Sequence, residues 1–127
     1  MSLGTFPMHV MLRVSDIAKQ RRFYLETLGL RDVSLPKSVV AELEAGNGTR
    51  ITLYPGPPSK ADHTVAAFTV TNLEETIKTL EGRGVRFEDL DMPGIKTANH
   101  IATQDNVKVA WFKDPEGNWL SLIQRIR

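Results

Sequence analysis

Hydrophobic and polar residues alternate along several short stretches of the chain, and such alternation predicts β-strands with one buried face. The first stretch, HVMLRV, places its aliphatic side chains on one face, and these are Val10, Leu12 and Val14. Its opposite face carries His9, Met11 and Arg13. The predicted strands span residues 9–14, 39–45, 50–54, 64–70, 85–89, 107–112 and 119–125.

Two segments between these strands have the pattern of helices. Residues 15–29 can begin with a cap at Ser15 or Asp16 and end at Gly29. The second segment opens on TNLE, a capping box in which Thr71 is the N-cap and Glu74 the third helical residue, and it runs to about residue 80. We therefore expect one helix after the first strand and one after the fourth.

The remaining segments predict turns and connectors. NGT at 47–49 predicts a hairpin turn, and the three prolines of PGPPSKAD predict a connector at 55–62. KDPEGN at 113–118 predicts the tight turn of the last hairpin, a structural role. Residues 92–106 are weakly patterned, and a lid is one hypothesis for them.

The order of these elements repeats. LRVSDI begins at Leu12 and FTVTNL begins at Phe68, an offset of 56 residues. The repeat predicts a single domain over 1–127, with a β-α-β-β-β module at about 7–54, a linker at 55–62 and a second module at about 63–127. One half alone has too little core to be stable, so we expect two packed halves with a cleft between their curved sheets.

Composition excludes several classes of protein. The chain has no cysteine, which rules out disulfides and thiolate chemistry, and its 16 Lys and Arg balance 15 Asp and Glu. That balance gives no basic surface for nucleic acid, and the apolar stretches are too short for a membrane span. We find no signal-peptide pattern and expect a cytoplasmic protein.

Three stretches resemble the vicinal oxygen chelate superfamily, which includes glyoxalase I, bleomycin-resistance proteins and extradiol dioxygenases. They are HVMLRVSDIAKQRRFYLETLGL, FTVTNLEETIKTLEGRGVRF and WFKDPEGNWLSLIQ, and together they cover most of the chain. The resemblance implies an α+β fold of two βαβββ modules, forming curved mixed sheets around a shared cleft. It also implies a homodimer and a small-molecule ligand.

The metalloenzymes that this chain resembles hold a divalent metal at four cleft positions. The resemblance carries those positions onto His9, Thr52, Val65 and Ser121. Only His9 is a good metal ligand, so we expect no cofactor. A divalent metal remains an alternative, held by His9 together with His63 or His100.

The same resemblance predicts the residues that contact a ligand. The matching arginine in glyoxalase I contacts the carboxylate of its glutathione substrate, and here it is Arg13. Alternation adds residues that share a face with the four positions. The predicted ligand-binding set is His9, Met11, Arg13, Arg50, Thr52, Tyr54, Val65, Trp119 and Ser121. His9 is also a candidate general base, whereas Trp111 is expected in the core, and Glu42 and Glu44 on a solvated face.

Three functions stay open. The first is a protein that binds a small organic ligand in the cleft without the usual metal. The second is a divergent metal-dependent lyase, isomerase or dioxygenase that uses His9. The third is a non-catalytic dimeric scaffold.

Overall fold

The computed structural model describes residues 2–126 and shows an α+β fold. The chain forms two compact units, one ending at Ser59 and the next beginning at Lys60. The first unit contains β1 (Val10–Val14), α1 (Ile17–Arg22), β2 (Arg31–Asp32), β3 (Ala41–Glu44) and β4 (Arg50–Pro55). Its sheet has the order β1-β4-β3-β2, in which β1 and β4 are parallel and the other pairs antiparallel.

The second unit repeats this arrangement and adds three short strands. It contains β5 (Thr64–Thr69), α2 (Leu73–Glu81), β6 (Phe87–Glu88), β7 (Asp91–Met92), β8 (Ile95–Lys96), β9 (Ala102–Gln104), β10 (Val107–Lys113) and β11 (Trp119–Arg125). The main sheet has the order β5-β11-β10-β6, with β9 paired to β10 and β5 parallel to β11. Each unit therefore places its first strand beside its last one, which confirms the predicted βαβββ repeat.

The first helix begins as predicted and then widens. Asp16 caps it by accepting a hydrogen bond of 3.0 Å from the backbone N–H of Lys19. After Arg22 the chain continues as a π-helical segment, Phe23–Thr27, in which Leu28 N–H donates to the Phe23 carbonyl at 3.1 Å. Tyr24 lies within this wider segment and Gln20 in the preceding α-helix, and both side chains are fully buried.

The second helix begins one residue later than predicted. Asn72, and not Thr71, is the N-cap, and its side-chain oxygen accepts from the backbone N–H of Glu75 at 3.1 Å. Asparagine is at least as good an N-cap as threonine, so the capping pair moves by one position. Gln124 of β11 accepts from Leu73 N–H at 2.7 Å and joins the helix start to the sheet.

Each sheet buries one face against its own helix. In the first unit the fully buried residues of this face include Val14, Leu43 and Leu53. In the second unit the corresponding residues include Ala110, Phe112 and Leu120. The opposite faces hold the polar and aromatic residues from which a site can be built.

The segment 92–106 is more ordered than its sequence pattern suggests. β7 and β8 form a hairpin around Gly94, whose φ of 83° favours glycine. A second tight turn, at Asn99 and His100, lies between Ala98 and Ile101, which bond to each other in both directions. Within residues 2–126, no helix is both long enough and apolar enough to cross a membrane.

Candidate functional site

The exposed face of the first sheet gathers most of the predicted ligand-binding residues of the first unit. The parallel register pairs Met11 with Thr52 and Arg13 with Tyr54, so these four side chains share one face. Alternation places Arg50 on the same face, because it lies two residues before Thr52. Met11 is 54% exposed and gives this face an apolar surface.

His9 and Thr52 are in direct contact on this face. His9 Nδ1 lies 3.0 Å from Thr52 Oγ1, within hydrogen-bond distance. Thr52 is buried at 4% exposure, whereas His9 precedes β1 and is exposed. The two residues at the predicted metal positions of this unit therefore form a hydrogen bond with each other.

Arg13 is held by the connector that follows β4. Its Nε donates to the Pro57 carbonyl at 2.6 Å. A Cβ atom at Gly56 would lie only 2.7 Å from Arg13 Cδ, so the absence of a side chain at Gly56 makes room for the arginine stem. Pro55 ends β4 opposite Val14, so the predicted linker begins with a residue that is part of the sheet.

Glu42 and Glu44 lie on the face of the first sheet that points away from the core, as predicted, and this face also carries His9 and Thr52. Glu42 pairs with Thr52 across β3 and β4, and Glu44 pairs with Arg50, so both lie on the face of His9 and Thr52. Glu42 Oε1 lies 3.4 Å from Arg50 Nη1, and Glu44 forms an ion pair with Arg31. The alternating pattern correctly predicted that these two carboxylates do not face the core. The face on which they lie is the candidate site.

In the second unit, Trp119 and Ser121 share a face as predicted, and two more residues join them. The antiparallel register pairs Trp111 with Ser121 and Lys113 with Trp119. Trp111 is therefore not a core residue, contrary to the prediction, and its neighbours Ala110 and Phe112 face the core instead. Lys113 Nζ lies 4.6 Å from the centre of the Trp119 ring, a cation–π contact.

Val65 has a less regular position than the 56-residue offset suggests. Thr64 pairs with Trp119 and Ala66 with Leu120, and the register shifts between these two pairs. Val65 falls within that shift and is partly buried. Ser121, which pairs with Ala67, is buried at 2% exposure.

The other two histidines contact acidic residues of their own unit. His63 Nδ1 lies 3.8 Å from Asp62. His100 Nδ1 lies 2.9 Å from Asp89, and His100 Nε2 lies 3.4 Å from Glu81. The hydrogen bond from His100 lowers the pKa of Asp89 below its usual value.

The donor atoms at the four predicted positions do not match the needs of a divalent cation. His9 offers an imidazole, but Thr52 and Ser121 offer neutral hydroxyls and Val65 offers no donor. Carboxylate, imidazole and thiolate are the donors that such cations prefer. Across residues 2–126, no three His, Asp or Glu side chains come together as a metal centre.

Three residues that contact predicted site residues were not predicted from the sequence, because their contacts depend on strand pairing or on the path of the connector. Lys113 was read only as the first residue of a turn, yet that turn sets Lys113 opposite Trp119. Gly56 and Pro57 were read only as connector residues, yet they hold Arg13.

Solved structures share this fold at low sequence identity. A glyoxalase family protein from Enterococcus faecalis is 20% identical, with 96% of this chain and 99% of that chain covered and a TM-score of 0.73. TnmS3, an antibiotic binding protein from Streptomyces sp. CB03234, is 22% identical, with coverages of 95% and 96% and a TM-score of 0.69. Lactoylglutathione lyase from Agrobacterium tumefaciens is 17% identical, with coverages of 94% and 93% and a TM-score of 0.68.

A search of curated proteins found no match. The family model for the Glyoxalase/Bleomycin resistance protein/Dioxygenase superfamily matches residues 7–122, which is most of the chain. These residues include both units and every predicted site residue. The chain therefore belongs to the Glyoxalase/Bleomycin resistance protein/Dioxygenase superfamily.

Proposed function

We propose that this protein binds a small organic molecule without a resident divalent metal. The observation that carries the proposal is the hydrogen bond between His9 Nδ1 and Thr52 Oγ1. It joins two predicted metal positions through a neutral hydroxyl, which is a poor replacement for a carboxylate ligand. The imidazole is then a hydrogen-bonding group of a binding surface.

The rest of the first sheet supports binding. The exposed thioether of Met11 offers an adaptable apolar contact between the polar groups of His9 and Arg13. Ligand sites combine such apolar surface with a few placed polar groups. Arg50 is paired with Glu42, which offsets part of its charge on this face.

The relatives make binding a reasonable role for this fold. TnmS3 is an antibiotic binding protein, and its structure aligns over nearly the whole chain. The lyase from Agrobacterium tumefaciens shows that the same fold also serves an enzyme, so the fold alone does not decide. The choice between a binding protein and a metal-dependent enzyme rests on the donor atoms that this chain has at the predicted metal positions.

Thermal unfolding tests the proposal. We expect naphthalene-2-sulfonate or 2-naphthylmethanol to raise the Tm, because a ligand that binds only the folded state stabilises it. The increase should be unchanged by EDTA.

Two outcomes would contradict the proposal. Loss of the Tm increase in EDTA would favour the metal-dependent alternative. No increase with either probe would favour a scaffold.

The homodimer is part of the same proposal and rests on family resemblance. Sedimentation velocity should then show a species of twice the 14.2 kDa chain mass. A single species at the chain mass would contradict it.

A further inference from the structure

The second sheet carries both tryptophans of the chain on one face. Trp111 and Trp119 lie on adjacent antiparallel strands. Trp119 is two residues from Ser121, which pairs with Trp111, so the two tryptophans are diagonal neighbours. Such diagonal neighbours stand roughly 7–8 Å apart, within reach of a shared aromatic ligand. The surface beside them continues through the paired Val109 and Ile123.

The charges on this face differ at its two ends. Lys113 stands opposite Trp119 with its ammonium over the ring. Glu88 stands opposite Trp111 on the other side of β10. An anion therefore meets attraction near Lys113 and repulsion near Glu88.

We infer that this face takes an aromatic anion, with its ring against Trp111 and Trp119 and its carboxylate or sulfonate beside Lys113. This inference gives the ligand class and assigns it to the second unit, and it rests on the proposed function, the binding of a small organic molecule. An aromatic cation is disfavoured because Lys113 already occupies the electron-rich face of Trp119 with a like charge. A neutral ring keeps the apolar contact but gains nothing from the ammonium.

Matched probes separate ring from charge. Naphthalene-2-sulfonate, 2-naphthylmethanol and 2-naphthylmethylammonium share one ring system and differ in charge. Calorimetry gives their affinities, and the two indole N–H signals, assigned with Trp111→Phe and Trp119→Phe, report where they bind. We expect the sulfonate to bind tightest, with both indole signals shifting.

The variant Lys113→Met removes the charge and keeps an unbranched stem. It should weaken sulfonate binding about twofold to fivefold, the range that one exposed charge pair supports, and leave the affinity for the alcohol unchanged. Lys108→Met is the matched control, because Lys108 lies on the same strand but on the opposite face, bonded to Glu74 at 2.6 Å. Lys113→Gln gives a second, polar test of the same charge.

Equal affinities for the sulfonate and the alcohol, or equal effects of the Lys113 and Lys108 variants, would overturn this inference and leave the proposed function standing. Shifts in neither indole signal, with the Tm increase retained, would overturn it in the same way. Failure of all three probes to bind would overturn both.

Discussion

His9 Nδ1 and Thr52 Oγ1 lie 3.0 Å apart, so the two predicted metal positions of the first unit are bonded to each other. Whichever tautomer is present, Nδ1 is engaged and Nε2 is the ring nitrogen left for a ligand. Thr52 is nearly buried, and His9 covers its hydroxyl. A neutral hydroxyl at this position is a poor replacement for a carboxylate ligand, and this supports the proposal of a site without a resident metal.

Thr52→Val should lower the free energy of unfolding by about 1 kcal/mol, because it removes one partly buried hydrogen bond at nearly constant volume. Urea denaturation measures the change. Thr103→Val is the control, since Thr103 lies exposed in β9, and it should change stability by less than about 0.5 kcal/mol. Equal costs at the two sites would mean that the His9 contact adds no stability.

Gly56→Ala should displace Arg13 from Pro57. The added Cβ would lie 2.7 Å from Arg13 Cδ and 2.8 Å from Cγ, closer than such atoms approach, and the flexible side chain is what gives way. We expect the Arg13 Nε–H NMR signal to move. Gly46→Ala is the control, because nothing lies within 4 Å of a Cβ there. An unmoved Arg13 signal in the Gly56 variant would contradict the steric account.

Acid unfolding should depend on Asp32. Hydrogen bonds from Ser34, and then from Arg21, lower the pKa of Asp32 from 3.8 to about 2. A lowered carboxyl pKa contributes stability that is fully present above the unfolded value and is lost as pH falls through the folded one. The stabilisation by this carboxylate should therefore disappear between pH 3.8 and about 2.

Asp32→Asn provides the measurement. The gap in urea midpoint between the parent and this variant should be widest near pH 5 and should narrow as pH falls toward about 2. A gap that stays constant over this range would show that the ionised carboxylate is not what stabilises the turn at Ser34.

Truncation of two adjacent residues of β10 should have different effects, one on stability and the other on probe binding. Phe112 is fully buried and Trp111 is only partly buried on the other face. Phe112→Ala should cost about 3–5 kcal/mol of unfolding free energy, whereas Trp111→Ala should cost less than about half of that and remove probe binding instead. Phe112→Leu gives a milder comparison by the same denaturation assay. A larger loss of unfolding free energy in Trp111→Ala than in Phe112→Ala would contradict the placement of Trp111 outside the core.

Alternation predicted the faces of β1 and β4 because aliphatic residues recur there at every second position. It failed for Trp111, because VKVAWF is apolar on both faces and gives no period to read. Only pairing with Ser121 assigns that residue to its face. The position of Lys113 over Trp119 depends on the same long-range register.

The segment 92–106 could not be predicted for a different reason. Its strands β7 and β8 are two residues long, shorter than any periodicity can show. The N-cap is Asn72 and not the predicted Thr71, because both residue types can cap a helix. The hydrogen bond from Leu73 N–H to Gln124 joins residues far apart in the sequence, so local pattern could not predict it. The resemblance, by contrast, supplied the family correctly from three short motifs.

Metal analysis of the protein, purified without chelator and without a nickel column, tests the central claim most directly. The account predicts metal far below one ion per chain, and no loss of naphthalene-2-sulfonate binding after dialysis against EDTA. One zinc, nickel, manganese or iron ion per chain, lost in His9→Ala, would contradict it.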